Sequence, residues 1–274
     1  MTREMIITEL KNRGYNAEAQ TNIKNGVAFE GIRIMANSNV APVIYTDDIL
    51  RRAEEENKNL DEVVSAIIGI YEANCSIDFD INELFDREFV LSHLYIGLQK
   101  ESTEELIKRS CDLEGIESYL YIRRDRNDGE GYSVKLNEGI LERANITEKE
   151  AWRSAEYNTN RETKIQSMAS VMAELYGMDD FEEFEGLTPL YVISNECKMK
   201  GASAILNKEA LAQFARSHNT EDIIIIPSSI HEMLLVPYTE DMDLDYFSAM
   251  VREVNNTEVR PEERLTDRAY IVTV

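Results

Sequence analysis

The sequence predicts an α+β protein, with antiparallel sheets backed by helices, built either as two subdomains or as one continuous domain. Three observations lead there. Strand-like runs come as neighbours joined by turn residues, as SYLYIRR and YSVKL do around Asp128-Gly129. Capping-box patterns open helices between such runs, most clearly at Thr147 to Glu150. The densest β signal lies between Leu190 and Pro237, where LYVISN and IIIIPSSIHEMLLVP flank the helical stretch NKEALAQFARSHN.

In chain order, Thr2 to Arg13 reads as a helix stopped by Gly14. Val27 to Met35 and Val40 to Tyr45 read as an antiparallel pair joined through ANSN. Asp47 or Asp48 is placed to cap ILRRAEEENKN. The following LDEVVSAIIGIYEAN sets Val63, Ile67, Ile70 and Tyr71 on one helical face. Asn59 and Glu62 have capping-box spacing at the junction. After the loop CSIDFDINELFDRE, Val90 to Leu98 reads as a strand, and Ser102 to Glu105 as the start of a helix reaching Cys111. Thr147 begins a helical region that runs to Gly177, with a kink or break near Asn158 to Asn160.

Asp179 to Gly186, with five acidic residues in eight, is the candidate boundary between an amino-terminal region, 1–178, and a carboxy-terminal one, 187–274. Beyond it the pattern is strand, tight connection, a second strand at ASAIL, helix, strand, Pro-Ser-Ser turn, strand. A helix near Leu244 to Val254 and a terminal strand, Ala269 to Val274, complete it.

The totals bound the function. With 29 Lys and Arg against 52 Asp and Glu, the net charge is −23, a field that repels nucleic-acid phosphates. Solubility accounts for such a charge, and imitation of DNA is the sharper alternative; acidic residues spread along the chain favour solubility. The longest aliphatic run, Ile223 to Ile226, is far too short to span a bilayer. MTREMIITEL lacks a basic region followed by an apolar stretch, and Cys75, Cys111 and Cys197 show no paired spacing. A cytoplasmic location, with no membrane association, is the expectation.

One cluster has the residue types of a hydrolase: Ser228, Ser229, His231 and Glu232. A serine nucleophile needs a base within hydrogen-bond reach, a group orienting that base, and oxyanion donors. A strand–turn–strand can bring either serine to His231, but adjacent strand residues face opposite ways, so Glu232 does not simply orient the histidine. No Gly-x-Ser-x-Gly elbow is present. The competing reading is a turn whose hydroxyls bond backbone, with His231 closing the hairpin.

No metal and no cofactor is expected. His93, His218 and His231 are isolated from one another in sequence. Asp78-x-Asp80-x-Asn82 and Asp241-x-Asp243-x-Asp245 resemble the start of a calcium loop but lack its sixth-position glycine and twelfth-position glutamate, so they read as helix-capping acids. Lys198, Lys200 and Gly201 beside Asn195 form a small basic spot that reads as a solvated hairpin tip. Trp152 reads as partly buried helix packing, and Met168, Met172 and Leu175 as one core or partner face.

TPLYVISNECKMKGASAIL, IIIIPSSIHEMLLVP and the central LNEGILERANITEKEAWRSAEYNT resemble an uncharacterised bacterial family, a domain of unknown function frequent in anaerobic gut bacteria and their mobile elements. The resemblance covers about Leu91 to Pro237. It implies a cytoplasmic α+β protein and carries over no catalytic residue. Together these readings lead to a non-enzymatic protein that binds an unidentified protein partner, with no direct nucleic-acid binding. The terminal AYIVTV, at a sheet edge, would also suit pairing with a second copy.

Overall fold

The computed structural model describes residues 1–35, 42–74, 80–124, 132–177 and 189–274. Their contacts divide into two compact units, Met1–Glu83 and Leu84–Val274. ANSN, the Asp128-Gly129 turn and the acidic stretch Asp179 to Gly186 lie outside the described residues.

In the first unit, α1 (Arg3–Asn12) begins where the Thr2 hydroxyl accepts from the Met5 N–H. The sequence reading passed over β1 (Asn16–Lys24), which forms a hairpin with β2 (Val27–Met35). Its turn is Asn25-Gly26, both residues at positive φ, 49° and 79°, the backbone that a tight two-residue hairpin requires. β3 (Val43–Tyr45) completes an antiparallel sheet in the order β1-β2-β3.

α2 (Asp47–Glu55) and α3 (Leu60–Asn74) close a core that includes Ile6, Leu10, Ile32, Ile34, Val64 and Ile67. The N-cap of α2 is Thr46, whereas Asp47 or Asp48 was expected there. The Thr46 hydroxyl donates instead to the Glu30 carbonyl on β2, so a tertiary bond takes the place of a local cap. Asn59 and Glu62 do form the reciprocal box, at 3.1 and 2.8 Å. On α3, Val63 and Ile67 are buried and Tyr71 packs on the core as expected, while Val64 joins them and Ile70 is 42% exposed.

The second unit opens with α4 (Arg87–His93), which continues directly into β4 (Leu94–Lys100). The first four residues of the expected strand at Val90 to Leu98 are therefore helix, and the other five are strand. The Asp86 carboxylate caps the Phe89 N–H at 2.7 Å and sets that helix going. β5 (Lys108–Ser110), β6 (Ile116–Arg124) and β7 (Tyr132–Lys135) join β4 in an antiparallel sheet with β6 central. The expected helix from Ser102 does not form. Ser102 donates to the Glu117 carboxylate at 2.7 Å and accepts from Gln99, which ties this segment to the sheet.

α5 (Glu138–Arg143) and α6 (Glu148–Arg161) follow, the latter with its full capping box. The long helical region expected as far as Gly177 is interrupted by β8 (Lys164–Ser167) and resumes as α7 (Met168–Tyr176), which ends at a left-handed Gly177. β9 (Tyr191–Ser194) pairs with β8.

The strand expected at ASAIL is instead a 3-10 turn, Gly201–Leu206, whose small residues lie buried, and it leads into α8 (Lys208–Ser217). β10 (Asp222–Pro227) and β11 (Met233–Pro237) form the predicted hairpin, and α9 (Leu244–Thr257) and β12 (Tyr270–Thr273) end the chain. Their sheet runs β12-β10-β11-β9-β8, all antiparallel, with β12 at an edge.

Layering explains the unbroken aliphatic run in β10. Ile223 and Ile225 face a core shared with Leu98, Ile116, Ile205 and Phe214, while Ile224 and Ile226 face Val251 of α9. With both faces covered, the strand has no polar side to display.

Candidate functional site

The Ser-Ser-x-His-Glu cluster lies in the turn between β10 and β11. Ser229 and Glu232 close it backbone to backbone at 3.1 Å, and the Ser229 hydroxyl accepts from the His231 N–H at 3.0 Å. The His231 ring faces elsewhere. Its Nδ1 accepts from the Lys200 N–H at 3.1 Å, which leaves the proton of the neutral ring on Nε2, 3.6 Å from a Glu263 carboxylate oxygen. Among the described residues, no hydrogen bond joins the imidazole to the hydroxyl of Ser228 or Ser229, and Glu232 enters the turn through its carbonyl.

What the turn does hold is the loop opposite. Lys198 and Lys200 adopt left-handed backbone, φ 54° and 52°, unusual for residues bearing a Cβ. The Asn195 side chain bonds both the N–H and the carbonyl of Met199, and the His231 ring takes the Lys200 N–H. The Ser194 hydroxyl donates to the His231 carbonyl at 2.8 Å. The basic spot is also less free than a solvated tip: the Lys200 ammonium lies 4.5 Å from the Tyr121 ring centroid and donates to Ser133, and Lys198 pairs with Glu174 at 3.5 Å.

The other candidates take local roles. Asp243 caps α9 through the Asp245 N–H, and Asp80 bonds the Asn82 N–H. Asp241 accepts from Thr239, which lowers its pKa. His93 and His218 repeat one device, each with Nδ1 against the carbonyl four residues back, Phe89 and Phe214. Among the described residues, no three of His, Cys, Asp and Glu converge as a metal site. No helix there is long and apolar enough to cross a membrane.

Two features escaped the sequence reading. The first is a buried group on the sheet formed by β4 and β6. Arg123 makes two 2.9 Å bonds to Glu162, Tyr95 donates to the same carboxylate at 2.7 Å, and the guanidinium lies 3.9 Å from the Tyr95 ring centroid. Burial, reinforced by that carboxylate, pushes the Tyr95 phenol up to about 12. Burial opposes the Arg123 charge, but the bond to Glu162 and the fields of Tyr95, Cys197 and Glu162 together outweigh it and raise its pKa.

The second is an open groove of about 780 Å³ between α6, the sheet at β5 and β6, and the start of α8. Trp152, the sole tryptophan of the chain, lines it. The Trp152 indole N–H donates to Glu148 at 3.1 Å, and the Arg109 guanidinium lies 4.2 Å from the indole centroid with Glu148 3.6 Å away. Tyr157, 67% exposed, carries Arg161 over its ring at 5.9 Å. Lys208, Glu156 and Glu209 complete the charged lining, and Ile96 and Leu206 supply apolar surface. Three cations and two carboxylates line it, and Glu148 and Asp112 stand 3.6 and 3.8 Å from Arg109 and Lys208, so the groove mixes both signs with no excess of positive charge.

Fold and site thus define an antiparallel α+β protein with an aromatic groove lined by charges of both signs. The chain belongs to the Family of unknown function (DUF5688), whose description matches residues 2–272, well beyond the Leu91 to Pro237 of the sequence resemblance. No curated protein and no solved structure matches it.

Proposed function

We propose that this chain is a cytoplasmic binding protein without catalytic activity of its own, and that its partner is another protein held in the groove beside Trp152. The observation that carries the reading is the composition of that groove. Aromatic and guanidinium groups, the side chains enriched where proteins recognise one another, line a cleft within the size range of ligand sites. Its hydroxyl-bearing residues, Ser110, Ser118 and Tyr157, have no histidine or cysteine beside them in the lining.

The groove's position also suits a binder. On α6 Trp152 is buried and Tyr157 is exposed, so a partner meets Tyr157 on a helix already formed. The test is affinity purification of the tagged protein from its native host, followed by titration of the recovered partner into the purified chain. A stoichiometric partner that shifts the emission of Trp152 on saturation is the expected result. Recovery of the chain alone, or a partner that leaves Trp152 emission unchanged while binding, counts against it.

A further inference from the structure

We infer that His231 is a pH-sensitive latch, which holds the loop Asn195 to Lys200 while its ring is neutral and releases it once the ring takes a proton. The first ground is the direction of one hydrogen bond. The Lys200 backbone N–H can only donate, and it reaches His231 Nδ1 at 3.1 Å. That nitrogen therefore carries no proton, and the bond exists only with the neutral ring. The imidazolium is a donor at both nitrogens. Turning the ring over offers the amide a C–H instead, so no orientation of the charged ring restores the acceptor.

The second ground is what keeps the protonated ring in place. Nε2 lies 3.6 Å from a Glu263 carboxylate oxygen, and the Glu263 carbonyl is tied to the same turn by the Ile230 N–H at 2.8 Å. A positive ring is drawn to that carboxylate. The His231 backbone stays as well, since its N–H donates to the Ser229 hydroxyl and its carbonyl accepts from the Ser194 hydroxyl. The part that yields is the loop, where Lys198 and Lys200 sit in left-handed backbone that only surrounding bonds sustain.

The third ground is the set of charges around the ring. Glu263 faces it from the 3-10 turn Pro261–Glu263, with Glu262 before it and Arg264 after it in sequence. Glu232 is its neighbour on its own turn, and its carbonyl is engaged by the Ser229 N–H. Lys198 and Lys200 come from the loop, the first with its ammonium toward Glu174 and the second with its ammonium on Ser133. β9 and the 3-10 turn Gly201–Leu206 bring no charged side chain. Glu263 is therefore the carboxylate that the charged ring meets. Opening frees the Lys200 end of the loop, while the Asn195 side chain still grips Met199 through its N–H and its carbonyl.

The test follows amide hydrogen exchange in the full chain between about pH 5 and 8, where histidine titrates, alongside an NMR titration of the His231 ring. Exchange is expressed as protection relative to an unstructured chain at the same pH. Protection of the Lys200 amide should fall ~10-fold or more as pH drops, the scale of one lost hydrogen bond, with the midpoint of the ring's own titration. The Met199 amide, bound to an oxygen that does not titrate, should keep its protection. In His231→Asn the side-chain oxygen takes the place of Nδ1, so Lys200 protection should be flat across the range. In Glu263→Gln the opening and the ring titration should move together to lower pH. Circular dichroism establishes that the variants fold; should His231→Asn not fold, the agreement of the two midpoints in wild type and Glu263→Gln decides.

Lys200 protection that holds while the ring titrates overturns the inference. So does an equal fall at Met199 or in His231→Asn, which would be a general loosening in acid. An opening whose midpoint departs from that of the ring, in wild type or in Glu263→Gln, overturns it too, because another group would then control the loop.

Discussion

At the scale of single residues, Gly201 shows how tightly the loop after β9 is locked to the turn before β11. A Cβ placed there would lie 2.2 Å from the Ser194 hydroxyl oxygen, 2.6 Å from the Asn195 nitrogen and 2.7 Å from the His231 carbonyl oxygen. Two of those three atoms are backbone, so the site has little room to yield. Gly201→Ala should therefore destabilise the chain by about 3 kcal/mol, the upper part of the range for overpacked interiors. Urea denaturation measures it; a midpoint within error of wild type would mean that the loop shifts freely. The same contacts give His231 its place, with Nδ1 on the Lys200 N–H and its carbonyl on Ser194. The side chain with the strongest catalytic look in the sequence is thus a fastening between two loops.

At the scale of elements, α6 joins structure to site. Its inner face seals the β4 edge: the Asn158 amide donates to the carbonyls of Leu91 and Leu94, and the Thr159 hydroxyl accepts from the Ile96 N–H at 3.0 Å. These asparagine and threonine residues suggested a kink when only the sequence was in view, because polar residues in mid-helix compete for backbone bonds. Here the backbone they bond belongs to α4 and β4, and the break expected at this point is present, because α6 ends at Arg161 and β8 follows. Its amino terminus was legible, since a capping box is entirely local. Glu150 accepts from the Thr147 hydroxyl and N–H and from Arg87, bonds that hold its pKa near 2 against an ordinary 4.5. Because the folded value is depressed, this stabilisation is complete above about pH 4.5 and is lost as pH falls toward 2. The gap in denaturation midpoint between wild type and Glu150→Gln should accordingly be open near neutral pH and close across that window; a gap independent of pH would refute the assignment. The same pattern at Ser102 to Glu105 misled, because its serine bonds Glu117, fifteen residues away. The groove was illegible for a related reason. Arg109, Trp152, Arg161 and Lys208 come from three separate elements, and no spacing along the chain records that tertiary folding brings them together.

At the scale of the whole molecule, salt should raise stability. A net charge of −23 makes the folded chain repel itself, and that repulsion sums over pairs tens of ångströms apart. Added salt shortens the screening length from about 30 Å at 0.01 M to about 10 Å at 0.1 M and about 3 Å at 1 M. The melting temperature should rise steadily with sodium chloride as self-repulsion fades. A melting temperature that falls as sodium chloride is added would show that close ion pairs such as Arg33 with Glu18 and Arg13 with Asp61, and not the overall charge, govern the response to salt.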